Sequence, residues 1–319
     1  MEFLVAGFEI IEQEPGLEGM YKAAELPGRI CYGSQDKMSP GTAEKFCNGL
    51  MKSNHGAPLE HGTVYLKAPI EEKYRFCDEL GKTMYFDSIL NHYENNNYSK
   101  VSYNEEYIYV TTNLRVLFEN GWMDDLQYWC EPTEFHERRY QVRFQVDRFT
   151  GEEFLRHRVA SFNRESTRYV LFTKEKFGGD SIKYIIPVWM LDKQDKIDML
   201  KGWTISDFCG VVEDYEDGLV GMDEITAWMF ALKACEWSYC ILTNRFGWKA
   251  EQARTVLPCA ISSPLIKTAF ISDWEHFFSL RALGTTGKPH PQAAELAVPL
   301  MDEFIKRGYL PKDFAEKKD

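Results

Sequence analysis

Four arginines and a histidine fall within the thirteen residues from Arg156 to Arg168, and the only acidic residue among them is Glu165. On a solvated helix face, such a concentration of positive charge is normally interleaved with acids, because repulsion between like charges lowers stability. The segment therefore needs either exposure to water or an anion bound among its guanidinium groups. A phosphate fits guanidinium forks in bidentate geometry. From charge alone, a solvated basic turn or a nucleic-acid patch is an equal alternative.

The residues that precede this segment predict how it is held. Tyr140 to Val146 alternates apolar and polar side chains, as expected for a strand with one buried face. Thr150 and Glu153 have the spacing of a capping box, which predicts a helix from Thr150 to about Ala160. The arginines would then lie late on a short helix and in the loop after it.

No repeat, low-complexity tract or flexible linker divides the chain, so we predict a single domain over residues 1–319. Residues from about 70 to 135 are interpreted as an insertion, with a helix near Glu72 to Leu90. A long helix is predicted from Asp223 to Leu242, and the last third of the chain is expected to be helical.

Composition excludes several classes of function. The formal charge of −12 and the pI near 5.2 argue against a nucleic-acid polymer as partner, since phosphate-tracking surfaces are usually basic. No leader segment or membrane span is recognisable, which favours a cytoplasmic location. The eight cysteines include no C-x-x-C pair, so we expect no metal site and interpret them as reduced, mostly buried thiols.

The order of residues in the basic segment decides between the alternatives. It matches R-H-R-x-x-S-x-N-x-x-S-x-R at all seven fixed positions, an agreement expected by chance on the order of once in a billion starts. This motif is the signature of the flavin-dependent thymidylate synthases. Three further elements resemble that family in the same order along the chain: His55 with Glu60-His61, Glu251 to Pro258, and Leu280-Arg281 followed by His290-Pro291-Gln292 and Glu295.

The resemblance implies a fold, an assembly and a reaction. It implies an α+β fold with a central, mostly antiparallel sheet flanked by helices, assembling as a homotetramer with active sites at subunit junctions. The implied reaction is reductive methylation of dUMP to dTMP. The carbon donor would be 5,10-methylenetetrahydrofolate, and FAD reduced by NADPH would be the source of hydride. No motif identifies an NADPH site.

The resemblance also assigns roles by position. Ser166, Arg168 and Arg281 would be catalytic. The dUMP-binding residues would be Glu153, Arg156, Glu165, Ser166, Arg168, Arg254 and Arg281. The residues that bind FAD and folate would be His55, Glu60, His157, Arg158, Val159, Asn163 and His276.

Several of these positions have a second interpretation. Glu153 is also part of the predicted helix cap, Arg254 could pair with Glu251 on a helix surface, and a lone histidine such as His55 is more often structural. The chain departs from the family where many relatives have two flavin contacts, since Phe270 and Ser272 stand there. It also has Arg164 where relatives often have glutamine or glutamate, and the neighbouring Glu165 is a candidate replacement.

The sequence leaves two further questions, the role of Cys259 and the exact reaction. Cys259 follows a proline, as a nucleophile does in the unrelated class of thymidylate synthase, but it lacks an adjacent basic group and is interpreted as packing. The departures leave room for a related flavin- and folate-dependent uracil alkylation, or for a non-catalytic nucleotide-binding homologue.

Overall fold

The computed structural model describes residues 1–70, 75–77, 83–85, 91–168, 171–172, 181–213 and 222–316. The strands in these ranges are β1 (Glu2–Leu4), β2 (Gly7–Ile11), β3 (Thr63–Pro69), β4 (Arg75–Cys77), β5 (Thr83–Tyr85), β6 (Lys100–Tyr103), β7 (Tyr107–Asn113), β8 (Arg139–Gln145), β9 (Ser161–Arg164), β10 (Lys183–Ile185) and β11 (Leu265–Phe270). The α-helices are α1 (Gly16–Cys31), α2 (Thr42–Lys52), α3 (Asn91–Glu94), α4 (Leu114–Asn120), α5 (Arg148–Phe154), α6 (Gln194–Leu200), α7 (Ile205–Glu213), α8 (Glu224–Asn244), α9 (Ala250–Ala253), α10 (Ile271–Phe278) and α11 (Pro291–Lys306).

A four-stranded antiparallel sheet positions the basic segment. Its order is β2-β8-β11-β9, so the signature strand β9 lies at one edge and pairs with β11. The predicted strand around Tyr140 to Val146 is confirmed as β8. The expectation that the last third is helical was wrong at β11, whose run Leu265–Phe270 is buried on both faces and therefore lacks a clear alternation of polar and apolar residues.

The two faces of this sheet differ sharply in chemistry. On one face, Val142 and Phe144 of β8 and Leu265 and Ala269 of β11 form an apolar core with α10 and α11. The other face carries Arg139, Gln141, Thr268, Ser161 and Asn163, all of which are buried. Because successive strand residues point to opposite faces, this division follows directly from the alternation in β8.

The polar face is covered by α1 and by a 3₁₀ turn over Ala57–His61. Gln141 Nε2 donates to the carbonyl oxygen of Ala23 in α1, 3.1 Å away. Gly62 closes the turn so tightly against α1 that an added Cβ would lie 2.8 Å from the carbonyl oxygen of Met20. This close approach brings His61 onto the sheet.

The segment interpreted as an insertion contributes β6 and β7 to a second sheet, whose strand order is β3-β7-β6. Its apolar side packs with α1 and α2 into a separate core cluster. The helix predicted near Glu72 to Leu90 was wrong where the structure describes it, since Arg75–Cys77 and Thr83–Tyr85 pair as the antiparallel strands β4 and β5. The rest of that prediction lies outside the described residues.

The remaining elements pack around a short parallel pair formed by β1 and β10. The long helix predicted from Asp223 to Leu242 is confirmed as α8, and the Asp223 side chain caps it by accepting from the Thr226 amide. The architecture is therefore α+β with antiparallel sheets and packed helices, as predicted. None of the helices in the described ranges is long and apolar enough to cross a membrane.

Candidate active site

Helix α5 begins earlier and ends earlier than the sequence predicted. Asp147, not Thr150, is its N-cap, and its carboxylate accepts from the Thr150 amide at 3.0 Å. The helix ends at Phe154, so Arg156 and Arg158 follow it in a turn and are exposed, while Arg164 lies on β9. In a capping box, the Glu153 carboxylate would accept from the Thr150 amide. The prediction was wrong because this amide donates to the Asp147 carboxylate instead.

Arg281 joins two elements that are far apart in the sequence. Its Nη1 donates to Glu153 Oε2 at 2.6 Å, its Nη2 to the Glu153 carbonyl oxygen at 3.3 Å, and its Nε to His157 Nε2 at 2.9 Å. These bonds occupy three of the five N–H groups of the guanidinium. Two N–H groups remain for a ligand, on a side chain that is already fixed in place.

His157 is buried, and its charge state follows from that environment. Burial, reinforced by the positive charges of Lys267, Arg281, His276 and Arg156, lowers the pKa of His157 to about 3. The ring is therefore neutral at physiological pH. Because Nε2 accepts from Arg281, the proton is assigned to Nδ1, which makes that nitrogen a hydrogen-bond donor.

A cleft of about 380 Å³ lies on the other side of the same turn. It is lined by Glu60, Tyr98, Asn113, Arg139, Arg158, Val159, Ala160, Ser161 and Phe270. It therefore brings together three residues predicted for the cofactor, namely Glu60, Arg158 and Val159. Phe270, which replaces an expected flavin contact, supplies an aromatic wall, whereas Ser272 Oγ donates to Glu137 Oε1.

Arg139 is a site residue that sequence reasoning missed. Its Nη2 donates to the Glu60 carbonyl oxygen and to Ser161 Oγ, both at 3.1 Å, so it ties the His55–His61 element to β9. Burial lowers the pKa of its guanidinium to about 10, which leaves it charged at neutral pH. The alternation of β8 could have revealed it, because Arg139 continues the polar set of Gln141 and Arg143 by one step.

A third group of predicted residues lies around the end of the signature. Arg254 Nη1 donates to Thr167 Oγ1 at 3.4 Å, which brings the Glu251–Pro258 element onto the signature. Ser166 Oγ accepts from the Arg168 amide at 3.3 Å, and the Ser166 amide donates to the Cys31 carbonyl oxygen at 3.2 Å. The next residue, Tyr32, hydrogen-bonds His55 Nδ1 at 3.1 Å through its hydroxyl. His55 thus reaches this group through Tyr32.

The departure at Arg164 has a structural explanation. Its guanidinium bonds Ser263 Oγ, Glu152 Oε1 and the Arg148 carbonyl oxygen at 2.7 to 2.9 Å, so it fastens β9 to α5. A Cβ at Gly151 would lie 2.7 Å from Arg164 Nη2, so a larger residue there would displace the guanidinium from these bonds. The adjacent Glu165 is the candidate replacement acid, and burial raises its pKa to about 7.

The last predicted residues differ in how close they lie to these groups. The His276 ring is exposed on α10, with its centroid 6.0 Å from that of His157. Asn163 is buried on β9, among the polar side chains that face His61. Cys259 is partly exposed and lines a further cavity of about 540 Å³ together with Glu153 and Arg156.

The thiols are less buried than the sequence suggested. Of the seven cysteines whose side chains the structure describes, all are free, but only Cys47 is buried. Among the side chains that the structure describes, no cluster of three or more histidine, cysteine, aspartate or glutamate residues could hold a metal ion.

Comparison with known proteins establishes the family. A model of the family described as thymidylate synthase complementing protein, Thy1, matches residues 130–307. This match covers more than half of the chain, and the chain belongs to this family, also called ThyX. The matched span includes the signature, the Arg254 element and the Arg281 element.

Individual relatives are distant. A flavin-dependent thymidylate synthase from Geobacter sulfurreducens is 28% identical over 138 residues, which represent 43% of this chain and 44% of that protein. The chain therefore aligns with less than half of the relative's length. Among solved structures, the UMP/dUMP methylase PolB from Streptomyces cacaoi, bound with 5-Br dUMP, is 17% identical with a TM-score of 0.41, covering 96% of this chain and 93% of that one. Thymidylate Synthase X from Helicobacter pylori with FAD and dUMP is 14% identical with a TM-score of 0.39, covering 97% and 99%.

Proposed function

We propose that this protein is a flavin-dependent thymidylate synthase that converts dUMP to dTMP, with 5,10-methylenetetrahydrofolate as carbon donor and NADPH as the reductant of FAD. One observation carries the proposal. Elements separated by up to about 200 residues converge on the basic segment: Arg281 on Glu153 and His157, Arg254 on Thr167, and Glu60 on the cleft that contains Arg158. Convergence of this kind is expected of a binding site and has no use in a solvated basic turn.

The candidate dUMP residues form two groups in a single chain. Glu153, Arg156 and Arg281 belong to one, and Ser166, Arg168 and Arg254 to the other. A homotetramer that places the first group of one subunit against the second group of another would complete a pocket with several cationic donors. Fixed cations of this kind suit a phosphate dianion and a pyrimidine ring that accumulates negative charge. We therefore assign the catalytic roles to Ser166, Arg168 and Arg281, with Glu165 as a further nucleotide contact.

The 380 Å³ cleft beside the signature turn is the proposed flavin site. Arg139 and Arg158 give it a positive field, Phe270 and Val159 give it apolar walls, and Glu60 gives it an acceptor. The neutral His157 offers a donor at Nδ1, and His55, Asn163 and His276 are the remaining predicted contacts of FAD and folate. When bound and reduced, FAD would supply the hydride that completes the methyl group. The protein supplies binding, orientation and electrostatics.

The first experiment is spectroscopic and enzymatic. The purified protein should be yellow, with flavin absorbance at about 450 nm, and should release tritium from [5-³H]dUMP only when methylenetetrahydrofolate and NADPH are both present. A yellow protein without tritium release would point to a related uracil alkylation. A colourless protein that cannot be reconstituted with FAD would favour a non-catalytic nucleotide-binding homologue.

The second experiment addresses the assigned residues. Ser166→Ala and Arg168→Ala should each lower tritium release by at least about a hundredfold while leaving the protein folded, because neither side chain is part of a buried core and both are proposed to contact dUMP. Arg245→Ala, at the exposed end of α8, is the matched control and should keep full activity. Near-normal turnover by both signature variants would refute the site assignment.

A further inference from the structure

The segment interpreted as an insertion borders the flavin cleft directly. Glu60, Tyr98 and Asn113 line the 380 Å³ cleft, and the same three residues line an adjoining cavity of about 190 Å³. The rest of that second cavity is built by insertion residues, namely Asn96, Arg115, Val116, Glu119 and Asn120. The cleft and the adjoining cavity therefore form one groove, which runs from the signature turn onto the insertion.

Tyr98 presents an aromatic ring to this groove on a fixed backbone. Its side chain is 58% exposed, although it borders two cavities. Its amide donates to Asn96 Oδ1 at 2.9 Å, and the neighbouring Ser99 hydroxyl donates to Thr112 Oγ1 of β7 at 2.8 Å, so the turn is anchored to the second sheet. An exposed ring on a turn anchored in this way is suited to stack on a flat ligand.

The insertion also sets the polar edge of the groove. Arg115 Nη1 donates to Glu60 Oε1, and Arg115 Nε donates to Glu119 Oε1 at 2.7 Å, so the Glu60 carboxylate is held from the insertion side. Asn113 Oδ1 is used to cap α4 through the Val116 amide, which leaves the Asn113 NH₂ group to serve a ligand. The Glu60 carboxylate is thus a fixed acceptor, and the Asn113 NH₂ group is a donor on the same wall. Together they complement the N–H and C=O groups at the edge of a heterocycle.

We propose that Tyr98 and Asn113, with Glu60 held by Arg115, form a subsite for a flat nitrogen heterocycle that carries an amide edge. The isoalloxazine ring of the flavin and the pterin ring of the folate donor share this chemistry. Tyr98 and Asn113 contact the ring directly, and Arg115 is a positioning residue. The proposal rests on the proposed function, and it gives the insertion a role in recognition.

The test compares Tyr98→Ala with Tyr103→Ala. Tyr103 is the matched control because it lies on β6 of the same insertion, is 51% exposed and is not part of the lining of either cavity. Each apoprotein is titrated with FAD by flavin fluorescence, and each holoenzyme is assayed for the KM of methylenetetrahydrofolate. Loss of one stacked ring should weaken binding about five- to tenfold in Tyr98→Ala only, and Tyr98→Phe should restore it.

Each outcome has a defined meaning. A raised Kd for FAD identifies the ring as the flavin, whereas an unchanged Kd with a raised folate KM identifies it as the pterin. If the wild type binds FAD and turns over but Tyr98→Ala matches it in both measurements, the subsite is refuted and the proposed function stands. If the wild type does not bind FAD, the proposed function fails and the subsite fails with it.

Arg115 is tested through Glu60. Glu60→Gln and Arg115→Met should each weaken the same ligand, and the double variant should be no weaker than Glu60→Gln alone, because Arg115 acts through Glu60. Arg115→Lys should recover part of the loss. Additive effects in the double variant would show that Arg115 does not position Glu60.

Discussion

The two faces of the four-stranded sheet contain the same strands but serve different purposes. The face under α10 and α11 is closed by Phe144, Trp274 and Phe277, which are fully buried and pack ring against ring. The face under α1 is filled by polar side chains that bond to one another and to the Ala57–His61 turn. Apolar burial is non-directional, whereas hydrogen bonds require particular distances and angles. The first face therefore provides stability, and the second positions the cleft.

Arg139 shows how the polar face is linked to the site. It is buried, and its two Nη atoms bond the Glu60 carbonyl oxygen, Ser161 Oγ and Thr63 Oγ1, while its Nε has no hydrogen-bond partner among the described residues. A cation inside the protein is therefore held by three neutral acceptors. The same residue lines the cleft. A displacement of the sheet would thus be passed directly to Glu60.

The largest expected effect distinguishes the faces at neighbouring residues of β8. Phe144→Ala should lower the free energy of unfolding by about 3–5 kcal/mol, because it leaves a cavity among Phe154, Trp274 and Phe277. Arg143→Ala, one residue away on the opposite face, removes a long, exposed ion pair with Glu9 and a longer-range attraction to Glu165, and it should cost less than about 1 kcal/mol. Chemical denaturation measures both, and equal losses would contradict the division between the faces.

An element or a site residue could be predicted from the sequence only where its pattern involves residues that are close together in the chain. The signature, β8 and α8 were recognisable because their patterns are local: the fixed spacing of the signature, the alternation of β8 and the long helical pattern from Asp223 to Leu242. The strand β11 was not, because residues buried on both faces show no period. The alternation of β8 places Arg139 on the polar face, but its role depends on carbonyl and hydroxyl groups from distant elements, which no local pattern shows. The contribution of Tyr98 likewise depends on how the insertion folds back.

Lys267 places a charged side chain on the apolar face of the sheet, where it pairs with Val142 of β8. It is fully buried, with Nζ 4.2 Å from the ring centroids of both Trp274 and Phe277. Burial lowers its pKa to about 7, a shift that corresponds to about 5 kcal/mol, partly offset by the interaction of the cation with the rings. Lys267→Met should therefore raise the free energy of unfolding at pH 7 by about 2–3 kcal/mol.

The pH dependence of the Lys267 effect has a definite sign. A lysine whose folded pKa is depressed destabilises the fold fully below about pH 7, and this cost disappears as pH rises toward the unfolded value of 10.5. The difference between Lys267→Met and wild type should shrink steadily between these two values. A difference that does not change with pH would show that Lys267 is accommodated as a cation.

The smallest effect concerns Thr268, which follows Lys267 in the chain and points to the polar face. Its hydroxyl is 2.7 Å from His61 Nδ1, and Gln141 Nε2 lies 3.5 Å from the same nitrogen. Thr268→Val keeps the shape and removes the hydroxyl, so the free energy of unfolding should fall by about 1 kcal/mol. His61 stays neutral throughout the physiological range because burial lowers its pKa to about 3, so this loss should not vary between pH 6 and pH 8.

Thr268→Ser separates the hydrogen bond from packing, since it keeps the hydroxyl and loses the methyl group. If the bond matters, Thr268→Ser should be the more stable of the two variants, and FAD affinity should fall about twofold in Thr268→Val only, because His61 adjoins Glu60 in the same turn. The reverse order of stability would mean that the polar face is also held mainly by packing. Lys267→Met would then raise the free energy of unfolding and Thr268→Val would lower it, both through packing alone. The proposed division between the two faces would fail at these two adjacent residues of β11.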